Sequence, residues 1–154
     1  MKKLKIFIIS LLISLGTGVV SGLIVGNAAE KYSMLIKPTF APPAAVFPVV
    51  WTLMYILMGI AAYYVYTSDS SGREDALKLY AEQLVFNFIW PIIFFRTGWL
   101  LFAFIWVLAL WLLVALCTLV FSRINKKAEW LFVPYLAWTT FAVYLTLAIY
   151  LLNR

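Results

Sequence analysis

Four long stretches of this chain contain no Asp, Glu, Lys or Arg, and they constrain its fold more than any other feature. These stretches are residues 6–29, 38–68, 97–122 and 130–153. A helix needs about 20 apolar residues to cross the hydrocarbon core of a bilayer, and each stretch is long enough. A fifth segment reaches that length when Lys78 and Glu82 are placed near one of its ends. The pattern therefore predicts membrane-spanning helices.

The predicted protein is an all-α integral membrane protein, a single domain over residues 1–154 that forms a bundle of five transmembrane helices. The expected spans are 5–27, 45–66, 76–95, 98–122 and 129–152, and residues 28–44 are expected to be a loop that acts as a lid. Pro42 and Pro43 stiffen the end of that loop, because proline fixes its own backbone and cannot donate a hydrogen bond. The chain is 66% hydrophobic with a mean hydropathy of +1.00, whereas soluble domains are about half apolar.

The positive charges lie in the connections between the spans, so the net charge of +6 does not indicate a nucleic-acid partner. With five spans the two termini face opposite sides of the membrane. The side that holds the N-terminus carries eight Lys and Arg residues and the other side carries four. The positive-inside rule therefore predicts a cytoplasmic N-terminus. The sequence shows no mitochondrial transit peptide, and a bacterial cell membrane is the expected location.

The first apolar stretch has two interpretations. Its basic start and the small residues at its end resemble a signal peptide. It also carries Ser14, Gly18, Gly22 and Gly26 at four-residue spacing, which forms a ridge of small residues on one helix face. Such a ridge lets a second helix approach closely, so we favour a helix that stays in the protein. The ridge is expected to pack inside the bundle, with a dimer contact as the alternative.

The chain contains no histidine and one cysteine, Cys117. An intramolecular disulfide is therefore impossible, and the commonest metal ligand and general base is missing. We expect no metal site and no built-in cofactor. Haem in particular lacks its usual histidine ligand.

Two amides lie one helical turn apart in the third predicted span, at Gln83 and Asn87. Polar side chains in hydrocarbon need a partner or a purpose. The amides can join helices by hydrogen bonds, or Asn87 can face a cavity and bind a ligand. Glu82 is expected near the membrane interface, paired with Lys78.

Aromatic residues line one face of the second span and one face of the fifth. Trp51 and Tyr55 are four residues apart, and Tyr135, Trp138 and Ala142 follow helical spacing. Tryptophan and tyrosine near span ends commonly form the interfacial aromatic belt. The alternative is that these faces converge with Asn87 and its neighbour Trp90 to enclose a flat conjugated ligand, as in mostly apolar ligand pockets.

Motifs over residues 37–141 resemble those of the translocator protein family, which is also called the tryptophan-rich sensory protein family or the peripheral-type benzodiazepine receptor. The motifs are KPTFAPP, VVWTLMYILMG, LYAEQLVFNFIWPIIFF, GW and PYLAWTTF, in the order in which that family has them. One departure is Ala45, where many members have tryptophan. A sterol-binding motif is not predicted in the last span.

The resemblance implies a five-helix bundle that forms a homodimer and binds tetrapyrroles such as protoporphyrin IX. It also implies binding of synthetic aromatic ligands of the isoquinoline carboxamide and benzodiazepine type, and light- and oxygen-dependent breakdown of porphyrin. The motif match places Trp51 and Trp138 in the degradation reaction. Together with the aromatic faces, it predicts a ligand-binding set of Tyr32, Trp51, Tyr55, Asn87, Trp90, Trp138 and Ala142.

Two other functions stay open at the level of sequence. The chain can be a passive carrier of porphyrins or other small apolar molecules, since an ion-coupled pump is disfavoured by the lack of internal repeats and of charge within the spans. It can also be a structural or signalling bundle that binds no flat ligand. If porphyrin is degraded, acid–base catalysis by histidine or paired carboxylates is not available, so whether the protein is an enzyme is left open.

Overall fold

The computed structural model describes residues 2–154, and this part of the chain is helical without a β-strand. Met1, the first residue of the predicted domain, lies outside the described residues. The elements are α1 (Lys2–Val25), α2 (Ala28–Met34), α3 (Val46–Tyr66), α4 (Arg73–Pro91), a π-helical segment (Ile92–Thr97), α5 (Leu100–Ile124) and α6 (Lys126–Asn153). The all-α prediction is confirmed.

Four of the helices, α1, α3, α5 and α6, are long and apolar enough to cross a membrane. Helix α4, which corresponds to the predicted span 76–95, is not among them. It begins earlier than predicted, at Arg73, and its first turns include Glu74, Asp75 and Lys78. These charges lower its hydropathy, although its second half is apolar.

The lid segment contains a helix that was not expected from the sequence. Residues 28–44 are predicted as a loop, whereas Ala28–Met34 form α2. The break from α1 occurs at Gly26, whose φ of 70° lies in the left-handed region that glycine adopts without strain. Ala28 and Glu30 are good helix formers, so one short helix fits between this break and the prolines.

Helix α4 changes its hydrogen-bonding pattern at Pro91, where the π-helical segment takes over. Proline lacks the N–H that would continue the α-helical ladder. Near this junction the Ser21 hydroxyl of α1 donates to the Phe88 carbonyl at 2.8 Å. The segment ends at Gly98, which has a φ of 70°. The junction thus ties α1 to α4.

Helix α6 begins at Lys126, earlier than the predicted start at residue 129. The Asn125 side chain explains this start, because its oxygen accepts from the backbone N–H of Lys127 at 2.9 Å and of Ala128 at 3.4 Å. An asparagine cap of this kind satisfies N–H groups that have no partner within the helix.

Small residues bring α1 and α3 close together over the N-terminal half of α1. Gly59 of α3 leaves room for the Leu11 backbone, because a Cβ added at Gly59 would lie only 3.0 Å from the Leu11 Cα. The Ser14 hydroxyl donates to the Tyr55 carbonyl at 2.6 Å. On this half the predicted ridge packs inside the bundle, as small residues allow in membranes.

The predicted pairing of Lys78 with Glu82 is wrong. The Lys78 ammonium group donates to the Asp75 carboxylate at 2.9 Å. Asp75 lies one turn nearer to the polar start of α4, so Lys78 extends toward water and away from the apolar half of the helix.

The lid is joined to the bundle by the side chain of Asn153, at the end of α6. Its Oδ1 accepts from the Ile36 N–H at 3.0 Å, and its Nδ2 donates to the Ile36 carbonyl at 2.8 Å.

Within the lid, the Tyr32 hydroxyl donates to the Pro42 carbonyl at 2.8 Å. Burial raises the pKa of the Tyr32 phenol. The Lys37 ammonium group donates to the Leu35 carbonyl at 2.8 Å.

We expect Asn153→Ala to loosen the lid without unfolding the bundle, because it removes the two hydrogen bonds to the Ile36 backbone, worth about 1 kcal/mol each. It also removes the bond to the Ile149 carbonyl within α6. Hydrogen–deuterium exchange of the Ile36 amide should accelerate about thirtyfold, which corresponds to about 2 kcal/mol. Arg154→Ala is the matched control, since the neighbouring side chain has no hydrogen bond to the lid among residues 2–154. Unchanged exchange at Ile36 in Asn153→Ala contradicts the assigned role.

Candidate ligand-binding site

A wide compartment of about 370 Å³ lies between the lid and helices α1, α3 and α4. Its walls are mainly aromatic and small apolar side chains. The lining residues are Leu15, Gly18, Val19, Ser21, Gly22, Ala28, Ala29, Tyr32, Ala44, Phe47, Pro48, Trp51, Thr52, Tyr55, Asn87, Trp90, Pro91 and Phe95. None of these residues carries a formal charge.

A second, narrow compartment of about 20 Å³ lies beside the wide one, on the side of α6. It shares several aromatic lining residues with the wide compartment. The residues that line only the narrow compartment are Phe94, Trp138, Phe141, Ala142, Leu145, Thr146 and Ile149. A volume of this size accommodates about one water-sized group. It has no room for a ring.

The wall between the compartments is formed by residues that line both of them: Tyr32, Phe47, Trp51, Trp90 and Phe95. Trp51 is at its centre, with ring centroids 6.3 Å from both Trp90 and Trp138. Tyr32 and Phe47 close the lid end by an edge-to-face contact at 5.0 Å. Aromatic pairs at such distances contribute about 0.5–1.5 kcal/mol each beyond their burial.

A buried chain of hydrogen bonds lies behind the wide compartment and joins α3, α4 and α6. The Tyr55 hydroxyl donates to Asn87 Oδ1. Asn87 Nδ2 donates to the Tyr135 hydroxyl at 2.7 Å, and that hydroxyl donates to Gln83 Oε1 at 2.9 Å. All four side chains are buried. The two amides therefore act as polar links between helices, and Asn87 also lines the cavity.

The structure divides the predicted ligand-binding residues between the two compartments. Tyr55 and Asn87 line only the wide compartment, whereas Trp138 and Ala142 line only the narrow one. Tyr32, Trp51 and Trp90 line both. The seven residues thus form one continuous region, but no single open cavity contains them all.

Sequence reasoning missed the wall that α1 contributes. Gly18, Ser21 and Gly22 line the wide compartment, although the ridge was assigned to helix packing. A Cβ added at Gly22 would meet no atom within 4 Å. The spacing of small residues was the signal for this wall, but it does not tell a packed ridge from a cavity lining.

The wide compartment is open to the surface between α1 and α3. Gly22, Pro48 and Thr52 line it and are exposed, and Val19 is 60% exposed. Nearer to the N-terminus of α1, the two helices meet at Gly18 and Tyr55.

Among residues 2–154, no group of three or more His, Cys, Asp or Glu side chains is placed to hold a metal ion.

The TspO/MBR family model matches residues 8–152 of this chain. The chain belongs to the TspO/MBR family. It is 38% identical to the tryptophan-rich protein TspO of Chlorobaculum tepidum over 128 residues, which are 82% of this chain and 81% of the relative. It is 42% identical to the tryptophan-rich sensory protein of Cereibacter sphaeroides over 73% of this chain and 70% of the relative.

A vertebrate member of the TspO/MBR family is also similar over most of its length. The translocator protein of Homo sapiens is 34% identical over 143 residues, which are 89% of this chain and 83% of the relative. Membership in this family and the four apolar helices together identify an integral membrane protein. The family resemblance stated from the motifs is confirmed.

The close contact between Gly18 and Tyr55 yields a testable prediction. A Cβ at Gly18 would lie 2.2 Å from the Tyr55 ring, whose hydroxyl is held by Asn87. We expect Gly18→Ala to displace the ring, break the Tyr55–Asn87 bond and destabilise the protein by about 1–3 kcal/mol, a typical cost of overpacking. Thermal unfolding in detergent measures the change.

Gly16→Ala is the matched control, because Gly16 lies on the same helix and its added Cβ would meet nothing within 4 Å. It should stabilise the protein by about 0.5–1 kcal/mol through the helix preference of alanine. Equal melting temperatures for the two variants contradict the assigned contact.

Proposed function

We propose that this protein binds protoporphyrin IX or a related tetrapyrrole in the wide compartment, together with aromatic ligands of the isoquinoline carboxamide and benzodiazepine type. The observation that carries the proposal is an uncharged, aromatic-walled cavity of about 370 Å³ with the Tyr55–Asn87 pair on one wall. Small-molecule sites commonly have volumes of about 300–1,000 Å³ and combine apolar walls with a few polar groups.

The shape of the wall supports a flat ligand. Trp51, Trp90 and Phe47 line the cavity and belong to the aromatic wall that it shares with the narrow compartment. Such surfaces stack on extended π-systems without requiring charge. Since the cavity is at the low end of the usual volumes, a tetrapyrrole macrocycle must also use the open side between α1 and α3.

We further propose that α4 and its π-helical extension form the fifth transmembrane span. The apolar half of α4 packs against α5, where Phe86 stacks on Trp106 at 4.4 Å. The charge distribution supports a cytoplasmic N-terminus in a bacterial cell membrane. We also propose a homodimer, which the family resemblance implies.

The tryptophans suggest how bound porphyrin is degraded under light. We propose that molecular oxygen is the oxidant and that Trp51 and Trp138 exchange an electron or trap a radical. Trp51 lines the wide compartment, and the ring of Trp138 stands behind it at 6.3 Å. The two residues therefore have separable roles: Trp51 contacts the ligand, and Trp138 acts through Trp51.

This difference predicts distinct variant phenotypes for the two tryptophans. Trp51→Phe should weaken binding of protoporphyrin IX about tenfold and slow its light-driven loss, because an indole face is removed from the cavity. Trp138→Phe should slow the loss and leave the affinity within about twofold, since its side chain lines only the narrow compartment. Tryptophan fluorescence quenching in nanodiscs measures binding in the dark, and the porphyrin absorption band measures loss under illumination.

Trp130→Phe is the control, because its side chain is 67% exposed and lines neither compartment. Loss of the porphyrin band at the parental rate in both test variants contradicts the tryptophan roles. Absence of saturable quenching in the parent contradicts tetrapyrrole binding and favours a structural or signalling bundle.

A passive carrier is the second candidate, and the exposed cavity rim between α1 and α3 favours it. A carrier should take up protoporphyrin IX into proteoliposomes in the dark. Gly22→Phe should slow that uptake several-fold, because the new side chain fills the rim of the cavity. Gly16→Phe is the matched control and should leave uptake unchanged. Both positions accept a Cβ without contacting another atom within 4 Å. Uptake that equals that of empty liposomes excludes this function.

A further inference from the structure

The rim of the wide compartment is part of the outer surface of the bundle. Four residues line the compartment and are also exposed at this rim: Val19, Gly22, Pro48 and Thr52. The adjoining side chain of Leu23 is 76% exposed. In an integral membrane protein, apolar side chains on the outer surface contact lipid chains, which are as apolar as leucine. The compartment is therefore continuous with the lipid-facing surface.

The rim also lies at the depth of the hydrocarbon core. The uncharged part of α1, residues 6–25, is about 30 Å long at about 1.5 Å per residue, which matches the thickness of that core. Val19 lies about 9 Å and Gly22 about 4.5 Å from the C-terminal end of this part. A lipid therefore reaches the rim with its acyl chain and not with its headgroup.

The chemistry of the lining favours hydrocarbon over water. Each hydroxyl or amide side chain that lines the compartment already has a hydrogen-bond partner within the protein. At the rim, for example, the Thr52 hydroxyl donates to the Pro48 carbonyl at 2.7 Å. A buried water needs two to four polar partners, and apolar cavities without them stay dry. A charged headgroup would have no counter-charge inside, because the lining is uncharged.

We infer that one acyl chain of a bilayer phospholipid enters between α1 and α3 and occupies the wide compartment, while its headgroup stays at the membrane surface. The volume of about 370 Å³ is within the range of small-molecule sites. This inference goes beyond the proposed function, because it requires only a membrane-embedded bundle and holds whether or not a tetrapyrrole binds. A flat ligand that enters the compartment displaces the chain.

The test is photocrosslinking in nanodiscs whose phosphatidylcholine carries a diazirine in the middle of one acyl chain. Peptide mass spectrometry then identifies the labelled residues. Trp51 and Tyr55 should be labelled, because they line the compartment. Tyr135 should stay unlabelled, because it is fully buried and lines neither compartment. Tyr144 is 46% exposed and reports labelling from the surrounding bilayer.

Variants at the rim test the route by which the chain enters. Gly22→Phe should lower the labelling of Trp51 several-fold and leave that of Tyr144 unchanged, because its ring fills the rim. Gly16→Phe is the matched control, since Gly16 lies on the same helix and does not line the compartment. If Gly22→Phe fails to fold, Thr52→Phe fills the same rim from α3 and should have the same effect.

The headgroup provides a second measurement. Phosphatidylglycerol with the same photoreactive chain should label Trp51 to the same extent as phosphatidylcholine, because the compartment holds the chain alone. A strong dependence of this labelling on the headgroup contradicts a site that takes only the chain.

Two further results overturn the inference: labelling of the parent that is confined to exposed residues such as Tyr144, and equal labelling of Trp51 in the parent and the rim variants. Labelling of Trp51 and Tyr55 in the parent that falls in the rim variants supports it. Neither outcome decides tetrapyrrole binding, which fluorescence quenching by protoporphyrin IX measures separately.

Discussion

The hydrogen-bonded chain of Tyr55, Asn87, Tyr135 and Gln83 is the interaction on which the rest of this structure depends. In a lipid-embedded bundle, apolar side chains gain little by leaving lipid for protein, so hydrogen bonds and close packing must orient the helices. This chain links α3, α4 and α6 through buried groups that would be costly to leave unpaired. Tyr55 extends the link to α1, because Ser14 donates to its carbonyl and Gly18 packs on its ring.

The cavity is a consequence of where these links stop. In the N-terminal half of α1, small residues hold this helix against α3. Toward the C-terminal end of α1, Gly22 of α1 and Trp51 and Pro48 of α3 line the wide compartment. Helix α1 stays attached to α4 through the Ser21–Phe88 bond at the Pro91 junction. A cavity of this kind needs helices that are joined on one side and separated on the other.

The lid shows how polar chemistry closes one end of an apolar bundle. The Asn153 amide pairs with both backbone groups of Ile36, much as a neighbouring strand would. Tyr32 and Phe47 then seal the aromatic wall beneath it. Flexibility within the lid is limited by prolines and by side-chain bonds to its backbone carbonyls. The lid contacts therefore close one end of the wide compartment, and its exposed side lies between α1 and α3.

Much of the fold could be predicted because uncharged stretches of this length have few alternatives to membrane-spanning helices. The motifs also identified the family, and they indicated the aromatic and amide residues around the cavity. The helix α2 could not be predicted, because seven residues between a glycine break and prolines carry too weak a periodic pattern. The pairing of Lys78 depended on which end of α4 faces water, and local spacing alone does not decide that.

By itself, then, the sequence determined the all-helical, apolar character of the chain and its family, and it indicated which aromatic and amide side chains lie around the cavity. Only the tertiary structure decided that Trp138 and Ala142 lie behind an aromatic wall and that α1 supplies a wall of the wide compartment. The physical reason is that helical spacing defines the face on which a residue lies, but not the neighbour toward which that face turns. That neighbour is set by hydrogen bonds between residues as distant in the chain as Tyr55 and Asn87, or Ile36 and Asn153.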